Sequence, residues 1–310
     1  MRSSRNENRS REIRLISVDR KYNVWTKRVG DGPLRMLMLH GGPGLTHEYL
    51  ECFENFLPRE RVEFYYYDQL GSGLSDRPKD VSLWTVDRFR EEVEQVRLGL
   101  GLDDFFLYGH SWGGILGIEY ALKYQRHLKA LIISDMTASA ASYQKYLTKL
   151  REKFPLEIRK VLEDYEARGE YGAAEYQKAM DKYFYNKYMC RLKPWPEPFV
   201  RANRHTNTKV FDNIHGPNEF VATGTAKGWD RWKDLPDIRV PTLLLVGRYD
   251  TMSVRDIHRM GRLMPNSRVI VCKNGSHLSM YDDQQTYFGE LLKFMEDVEL
   301  NRFGKRKKVF

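Results

Sequence analysis

The chain has 310 residues, of which 41% are hydrophobic and 13% aromatic, a composition typical of a globular protein with a sizeable core. Its apolar runs fall short of the roughly 18 residues that a membrane-spanning helix needs, and its charged start lacks the apolar stretch of a secretory signal. We therefore expect a cytoplasmic protein with no membrane partner.

The net charge of +9 is concentrated at the two ends of the chain. Residues 1–14 carry +3 and residues 301–310 carry +5, which leaves +1 for everything between them. Terminal basic segments of this kind are typical of solvated, disordered tails, so we predict no nucleic-acid partner. The chain has three cysteines, and their odd number and lack of CxxC spacing favour buried, reduced thiols over a disulfide framework or a zinc site.

Short β-rich runs alternate with helical patterns in the first part of the chain, and strand signals return near its end. The predicted strands are 35–40, 62–68, 105–110, 130–135, 242–247 and 267–272. Helical patterns separate them, which is the rhythm of a doubly wound, mostly parallel α/β sheet. Ligands on such sheets bind at the carboxyl ends of the strands, so the residues after each strand are the candidates for chemistry.

Between the fourth and fifth predicted strands the strand signals stop, and helical segments dense in Tyr and Phe take their place. We interpret this stretch as a helical cap inserted into the sheet domain. The predicted organisation begins with a basic N-terminal tail (residues 1–14) and ends with a basic C-terminal tail (300–310). Between the tails, a core in two pieces (15–135 and 235–299) is interrupted by the cap (136–234).

The run Gly109-His110-Ser111-Trp112-Gly113 follows the third predicted strand directly and leads into a helical run. G-x-S-x-G between a strand and a helix is the pattern of a nucleophile elbow, in which glycines permit a strained turn that lifts the serine hydroxyl above the sheet. We therefore predict Ser111 as a nucleophile. His110 is adjacent on the tight turn and points away, so it is predicted to be a packed structural residue.

A serine nucleophile needs a base to take its proton, and a third group must orient that base. In this topology the chain order is Ser, Asp, His, and each partner follows a later strand. Asp250 follows the strand at 242–247, and His277 follows the strand at 267–272. These two are the predicted acid and base, with Asp135 as an alternative acid.

The loop His40-Gly41-Gly42-Pro43-Gly44 comes directly after the first predicted strand. Its glycines let the backbone approach a substrate, and backbone N–H groups are well suited to stabilise a developing oxyanion because they are already fixed. We predict that the N–H groups of Gly42 and Trp112 form the oxyanion hole.

Five motifs together carry a resemblance to a known family: HGGPG at 40–44, YDQLGSGLS at 67–75, GHSWGG at 109–114, GPNEF at 216–220 and GSHLSMYDD at 275–283. In pattern and order, from Leu34 to Val298, the chain resembles the proline iminopeptidase family of α/β-hydrolases. The resemblance implies the α/β-hydrolase fold and a serine exopeptidase that releases an N-terminal residue, preferentially proline, from short peptides or amides. It implies no metal or organic cofactor.

The resemblance also implies a role for Glu219 in GPNEF. A lone carboxylate in a partly apolar setting needs a partner, and in this family a matching glutamate binds the free α-ammonium group of the substrate. Phe220 and Trp229, with Trp112, are then candidate walls of an apolar pocket or residues of the cap core. One departure is Thr251, because family members place a second amine-binding glutamate directly after the catalytic aspartate.

Three functions stay open at this point. The first is a serine aminopeptidase acting on short peptides or amino-acid amides with a free N-terminus. The second, which the hydroxyl at Thr251 favours, is a broader amidase, carboxylesterase or lactonase with the same triad. The third is a ligand-binding protein without turnover, while enzymes of this fold that use an aspartate nucleophile are excluded by Ser111. The oligomeric state does not follow from the sequence.

Overall fold

The structure, a computed structural model, describes residues 11–304. Over this range eight strands form one sheet in the order β1-β2-β4-β3-β5-β6-β7-β8. The strands are β1 (Arg11–Val18), β2 (Tyr22–Val29), β3 (Leu34–Leu39), β4 (Val62–Tyr67), β5 (Phe105–His110), β6 (Leu128–Ser134), β7 (Thr242–Gly247) and β8 (Ser267–Cys272). The β1–β2 and β2–β4 pairs are antiparallel and every other pair is parallel. The predicted doubly wound, mostly parallel sheet is therefore confirmed.

Ten α-helices lie within the described range. They are α1 (Val86–Leu100), α2 (Trp112–Tyr124), α3 (Ala140–Arg151), α4 (Leu156–Arg168), α5 (Ala174–Met180), α6 (Glu197–His205), α7 (Thr208–Ile214), α8 (Val254–Leu263), α9 (Ser279–Asp282) and α10 (Gln284–Glu299). A π-helical segment, Asp181–Met189, continues α5. No helix in this part of the chain is long and apolar enough to cross a membrane.

The sheet is covered on both faces because its strands alternate their side chains between two apolar clusters. Leu37 and Leu39 of β3 belong to one cluster, with Phe89 of α1. Met36 and Met38 belong to the other, with helix α10 and the 3₁₀ segment His47–Asn55. Burial on both faces is the reason that the parallel strands are near-continuous apolar runs in the sequence.

Two elements lie outside the sequence prediction. β1 and β2 were not predicted, and β1 begins at Arg11, so residues 11–14 belong to the sheet rather than to the basic tail. Residues 1–10 and 305–310, which hold most of the predicted tails, lie outside the described residues. The segment between β6 and β7 contains five of the α-helices and the π-helical segment, and two isolated β-bridges, Ser139–Asp230 and Asn218–Val221, tie it together.

Candidate active site

Ser111 lies at the junction of β5 and α2, in a backbone conformation with φ 53° and ψ −122° that few non-glycine residues adopt. Its N–H donates to the carbonyl of Ser134 at 2.9 Å, which ties the turn to β6. The two flanking glycines allow the helix to approach the sheet: a Cβ on Gly109 would lie 2.1 Å from the carbonyl oxygen of Gly113, and one on Gly113 would lie 2.1 Å from that of Leu39. The local sequence thus forces the serine onto a sharp turn.

The loop after β3 approaches this turn closely. A Cβ on Gly41 would lie 2.9 Å from the Cβ of Ser111, so only glycine permits the contact. Gly42 has φ 45° and lines the same cavity as Ser111. Trp112 is the first residue of α2, and the N–H of a first helical residue has no acceptor within its own helix. Both predicted oxyanion-hole residues therefore border the space around Ser111.

Gln69, which the sequence analysis did not single out, connects these two segments. Its Oε1 accepts a hydrogen bond from the indole Nε1 of Trp112 at 2.8 Å, and its Nε2 donates to the carbonyl of His40 at 3.0 Å. Its backbone N–H donates to Nε2 of His40 at 3.1 Å. Gln69 thereby fixes the glycine loop against the elbow, and its position directly after Asp68, at the end of β4, was the available signal.

His277 and Asp250 are brought together by the loops after β8 and β7. Nδ1 of His277 lies 2.7 Å from Oδ1 of Asp250, and both residues are buried. The backbone of His277 is held on two sides: its N–H donates to the carbonyl of Tyr188 at 2.9 Å, and its carbonyl lies 2.9 Å from Nε2 of His110. Asp250 and the two backbone contacts together fix the orientation of the His277 ring.

Thr251 contacts the same pair. Its hydroxyl donates to Oδ1 of Asp250 at 3.2 Å and lies 3.2 Å from Nδ1 of His277. The residue is fully buried and does not line the cavities at Ser111. Thr251, the departure from the pattern of the resembled family, therefore directs its hydroxyl at Asp250 and His277.

Two adjoining cavities meet at Ser111. The outer cavity, of about 420 Å³, is lined by Ser111 and His277 together with side chains of the π-helical segment, α6 and α7. The inner recess, of about 70 Å³, has largely apolar walls that include Trp112 and Trp229. Gly42, Ser111 and Glu219 line both spaces, so a small group in the recess would contact the serine and the carboxylate together.

Glu219 has polar partners at this cavity but no lysine or arginine within ion-pair distance among the described residues. The hydroxyl of Tyr143 donates to its Oε2, and Nε2 of His215 lies 3.7 Å from the same atom. The side chain of Glu219 is 17% exposed. Burial and the adjacent Glu219 carboxylate raise the pKa of Tyr143 well above its usual range, so the tyrosine remains a hydrogen-bond donor. The carboxylate is thus held in place and retains room for a cationic ligand.

The two other predicted pocket residues differ in position. Trp229 is buried, lines the inner recess, and donates its Nε1–H to Glu119 at 2.7 Å. Phe220 does not line either cavity; its ring packs against Phe154 and Phe184 within the helical segment. Phe220 therefore contributes to the core of the helical segment rather than to the wall of a cavity. Among residues 11–304, no group of three His, Cys, Asp or Glu side chains is arranged to hold a metal ion.

The fold and the elbow define a class of protein, and comparison with known families agrees. The family model for the alpha/beta hydrolase fold matches residues 35–284, so the chain is an α/β-hydrolase. It is 45% identical over 282 residues to a proline iminopeptidase of Flavobacterium johnsoniae, covering 90% of this chain and 95% of that one. It is 44% identical over 288 residues to a proline iminopeptidase of Elizabethkingia meningoseptica, covering 91% and 97% of the two chains.

A solved structure extends the comparison to three dimensions. The proline iminopeptidase of Mycobacterium smegmatis superposes with a TM-score of 0.86 at 27% identity, over 94% of this chain and 99% of that one. The chain belongs to the proline iminopeptidase family, and the family membership predicted from the five motifs is confirmed.

Proposed function

We propose that this protein is a serine aminopeptidase that releases an N-terminal residue, preferentially proline, from short peptides or amino-acid amides. The observation that carries the proposal is the shared wall of the two cavities, where Ser111 and the carboxylate of Glu219 face one space. A substrate with a free α-ammonium group would place its first carbonyl at the serine while its charge is neutralised by the glutamate. The predicted cytoplasmic location remains part of this proposal.

In the proposed reaction, Ser111 attacks the carbonyl carbon of the first residue while His277 accepts the hydroxyl proton at Nε2. Asp250 holds Nδ1 of His277 and stabilises the imidazolium that forms. The N–H groups of Gly42 and Trp112 donate to the oxyanion. His277 then protonates the leaving amine, and water hydrolyses the acyl-enzyme by the same route, which regenerates the serine.

The walls of the cavities account for the class of substrate in this proposal. The apolar inner recess, bordered by Trp112 and Trp229, suits a small ring such as that of proline. The outer cavity is covered by the π-helical segment and by α6 and α7, which leaves room for a short chain after the scissile bond. A long folded polypeptide would not enter such a space.

The first test compares kcat/KM for prolyl p-nitroanilide, its N-acetylated form and p-nitrophenyl butyrate, in the wild type and in Glu219→Gln. We expect a preference of at least about tenfold for the free amine, and we expect Glu219→Gln to abolish it. A tenfold loss corresponds to about 1.4 kcal/mol of transition-state stabilisation from the ammonium contact.

Glu175→Gln is a matched control for that test. Glu175 is exposed on α5, accepts a hydrogen bond from Tyr165 at 2.9 Å, and lies outside both cavities. It should retain the wild-type preference. If the butyrate ester is the best substrate and acetylation makes no difference, the protein is an esterase or amidase and the aminopeptidase assignment is wrong.

A second test separates an enzyme from a binding protein. A fluorophosphonate probe should label the wild type covalently, and Ser111→Ala should remove the label without changing the unfolding midpoint by more than a few degrees. Labelling that persists in Ser111→Ala would place the nucleophile elsewhere.

A further inference from the structure

A second buried carboxyl group lies beside Asp250. Asp135 follows β6 as Asp250 follows β7, and both residues are fully buried. Both residues bond to the same residue at the end of β7: the N–H of Gly247 donates to Oδ1 of Asp135 at 3.1 Å, and the N–H of Asp250 donates to the carbonyl of Gly247 at 3.2 Å. On Asp250, Oδ1 receives His277 and Thr251, whereas Oδ2 is buried and has no hydrogen-bond donor among the described residues. An acceptor of this kind, left unsatisfied inside a protein, is expensive.

Among the residues that the structure describes, Asp135 has no lysine or arginine partner that could stabilise a second negative charge. Its Oδ1 accepts from the N–H of Gly247 at 3.1 Å, and its Oδ2 accepts from the hydroxyl of Ser134 at 2.5 Å. The basic side chain within ion-pair distance of Asp135 is that of His110, whose Nε2 lies 3.8 Å from Oδ2 of Asp135.

The titratable groups that face Asp135 from neighbouring elements are all uncharged or acidic. They are Tyr49, Tyr108, His110, Asp250, Cys272 and Tyr287. Burial lowers the pKa of His110 well below its usual range, so that imidazole is neutral. Burial raises the pKa values of the three tyrosines and of the cysteine, so they are neutral as well.

We propose that Asp135 is a positioning residue that stays protonated and donates its carboxylic O–H to Oδ2 of Asp250. The proton is not transferred in this arrangement: it remains on Asp135, and Asp250 keeps its single negative charge. The pair then presents one carboxylate whose two oxygens are both satisfied, with Oδ1 directed at His277. The inference rests on the proposed function only in assigning Asp250 as the acid of the triad.

Desolvation and electrostatics support this protonation state. Burial in the interior, followed by the neighbouring Asp250 carboxylate, raises the pKa of Asp135 well above its usual range. Two adjacent buried carboxylates cannot both ionise without a cation, and one shared proton is the usual resolution. A hydroxyl chain, Tyr108 to Tyr287 to Ser134, at 2.7 and 2.9 Å, holds the acid in place from the other side.

The test uses two substitutions and the pH dependence of kcat/KM. Asp135→Asn keeps a donor toward Asp250, and asparagine tolerates the left-handed φ of 54° at this position. It should keep kcat/KM within about threefold and leave the pH profile in place. Asp135→Ala removes the donor and should lower kcat/KM about tenfold to a hundredfold.

The pH profile distinguishes positioning from a merely structural role. Without a donor, the Asp250 carboxylate is more basic and binds the imidazolium of His277 more strongly. In Asp135→Ala the acidic limb of the profile, which is the fall of kcat/KM at low pH, should therefore move to higher pH. If Asp135 were instead ionised, Asp135→Asn would remove a buried negative charge and move that limb to lower pH, which would overturn the proposal. An alanine variant with an unchanged limb would overturn it too.

Two further measurements keep the result interpretable. Rates are normalised to sites labelled by the fluorophosphonate, and p-nitrophenyl butyrate is used beside the prolyl substrate, because the same triad acts on an ester even if the aminopeptidase assignment fails. If Asp135→Ala does not fold, carboxyl ¹³C resonances of [¹³C]aspartate-labelled wild type decide the matter. A protonated resonance that is constant from about pH 5 to 8, and absent in Asp135→Asn, is expected; an ionised one would contradict the proposal.

Discussion

At the scale of single residues, Thr251 decides how the site departs from the family pattern. Its hydroxyl lies within 3.2 Å of both Asp250 and His277, and it does not line the cavities. Removing this hydroxyl should therefore disturb the orientation of the imidazole rather than the binding of substrate. Since Thr251 does not line the cavities, the carboxylate that lines both of them is that of Glu219.

We expect Thr251→Val to lower kcat about tenfold, with KM nearly unchanged. This is the low end for a hydrogen bond to a charged acceptor, because the contact is 3.2 Å long. Thr251→Ser keeps the hydroxyl and should stay close to wild type. Steady-state kinetics on prolyl p-nitroanilide separates the two parameters. A rise in KM confined to free-amine substrates would instead mean that Thr251 contacts the ammonium group.

The sequence could predict the positions that depend on chain order but not those that depend on side-chain direction. Ser111, Asp250 and His277 each follow a strand, and the carboxyl ends of parallel strands meet at one edge of the sheet. Phe220 follows no such rule, because an aromatic residue in a loop packs on either side according to its rotamer. Gln69 does follow a strand, β4, but its position does not reveal which two segments its side chain bridges.

At the scale of elements, the antiparallel β1–β2 pair shows why part of the sheet was not predicted. Its turn uses Asp19 and Arg20, with φ of 53° and 54°, where hairpins of this kind usually carry Asn-Gly or Asp-Gly. In β1, Ile13 and Leu15 lie on the exposed side, whereas the charged Glu12 and Arg14 share a side with the buried Ile16 and Val18. The strand therefore lacks the polar-out, apolar-in alternation that would set it apart from the basic tail. The parallel strands, most of them buried on both faces, were recognisable to within two residues at each end.

The contact between the elbow and β3 gives a prediction at this scale. Gly113→Ala would place a methyl group 2.1 Å from the carbonyl oxygen of Leu39, where backbone surrounds it on the β3 side. We expect a loss of about 1–3 kcal/mol in the free energy of unfolding, together with slower fluorophosphonate labelling because the turn at Ser111 shifts. Urea unfolding and labelling rates measure the two effects.

Gly289→Ala is the matched control, because Gly289 lies inside helix α10 and a Cβ there meets nothing within 4 Å. It should increase stability by about 1 kcal/mol, since alanine is the better helix former, and leave labelling unchanged. If Gly113→Ala behaves like Gly289→Ala, the elbow is not packed against β3 as the structure indicates.

At the scale of the whole molecule, buried neutral histidines determine how stability depends on pH. His40 is fully buried, its Nδ1 lies 3.0 Å from the carbonyl oxygen of Gly41, and its Nε2 accepts from the N–H of Gln69 at 3.1 Å. These contacts fix the neutral tautomer with its proton on Nδ1, and protonation of Nε2 would place that new N–H against the N–H of Gln69. Burial lowers the pKa of His40 from 6.5 to about 4.

The direction in which the free energy of unfolding changes with pH follows from the protons bound by the folded and unfolded chains. Between pH 6.5 and about 4 the unfolded chain binds a proton at His40 that the folded protein does not, so the free energy of unfolding falls as pH falls through this window. The loss from this residue is on the order of 3 kcal/mol once the pH is below about 4. Asp135 acts in the opposite direction, because its raised pKa makes the folded state bind more protons above pH 3.8.

Because these contributions overlap, the decisive quantity is the difference between variants. His40→Gln can keep both hydrogen bonds without titrating, so its free energy of unfolding should vary less with pH than that of the wild type. Urea denaturation at roughly pH 4.5 to 7.5, the range in which His40 should contribute, measures this. His258→Gln, at an exposed position on α8, should follow the wild-type curve. Parallel curves for wild type and His40→Gln would show that His40 is already free to protonate in the folded protein, and the tautomer fixed beside the glycine loop would be wrong.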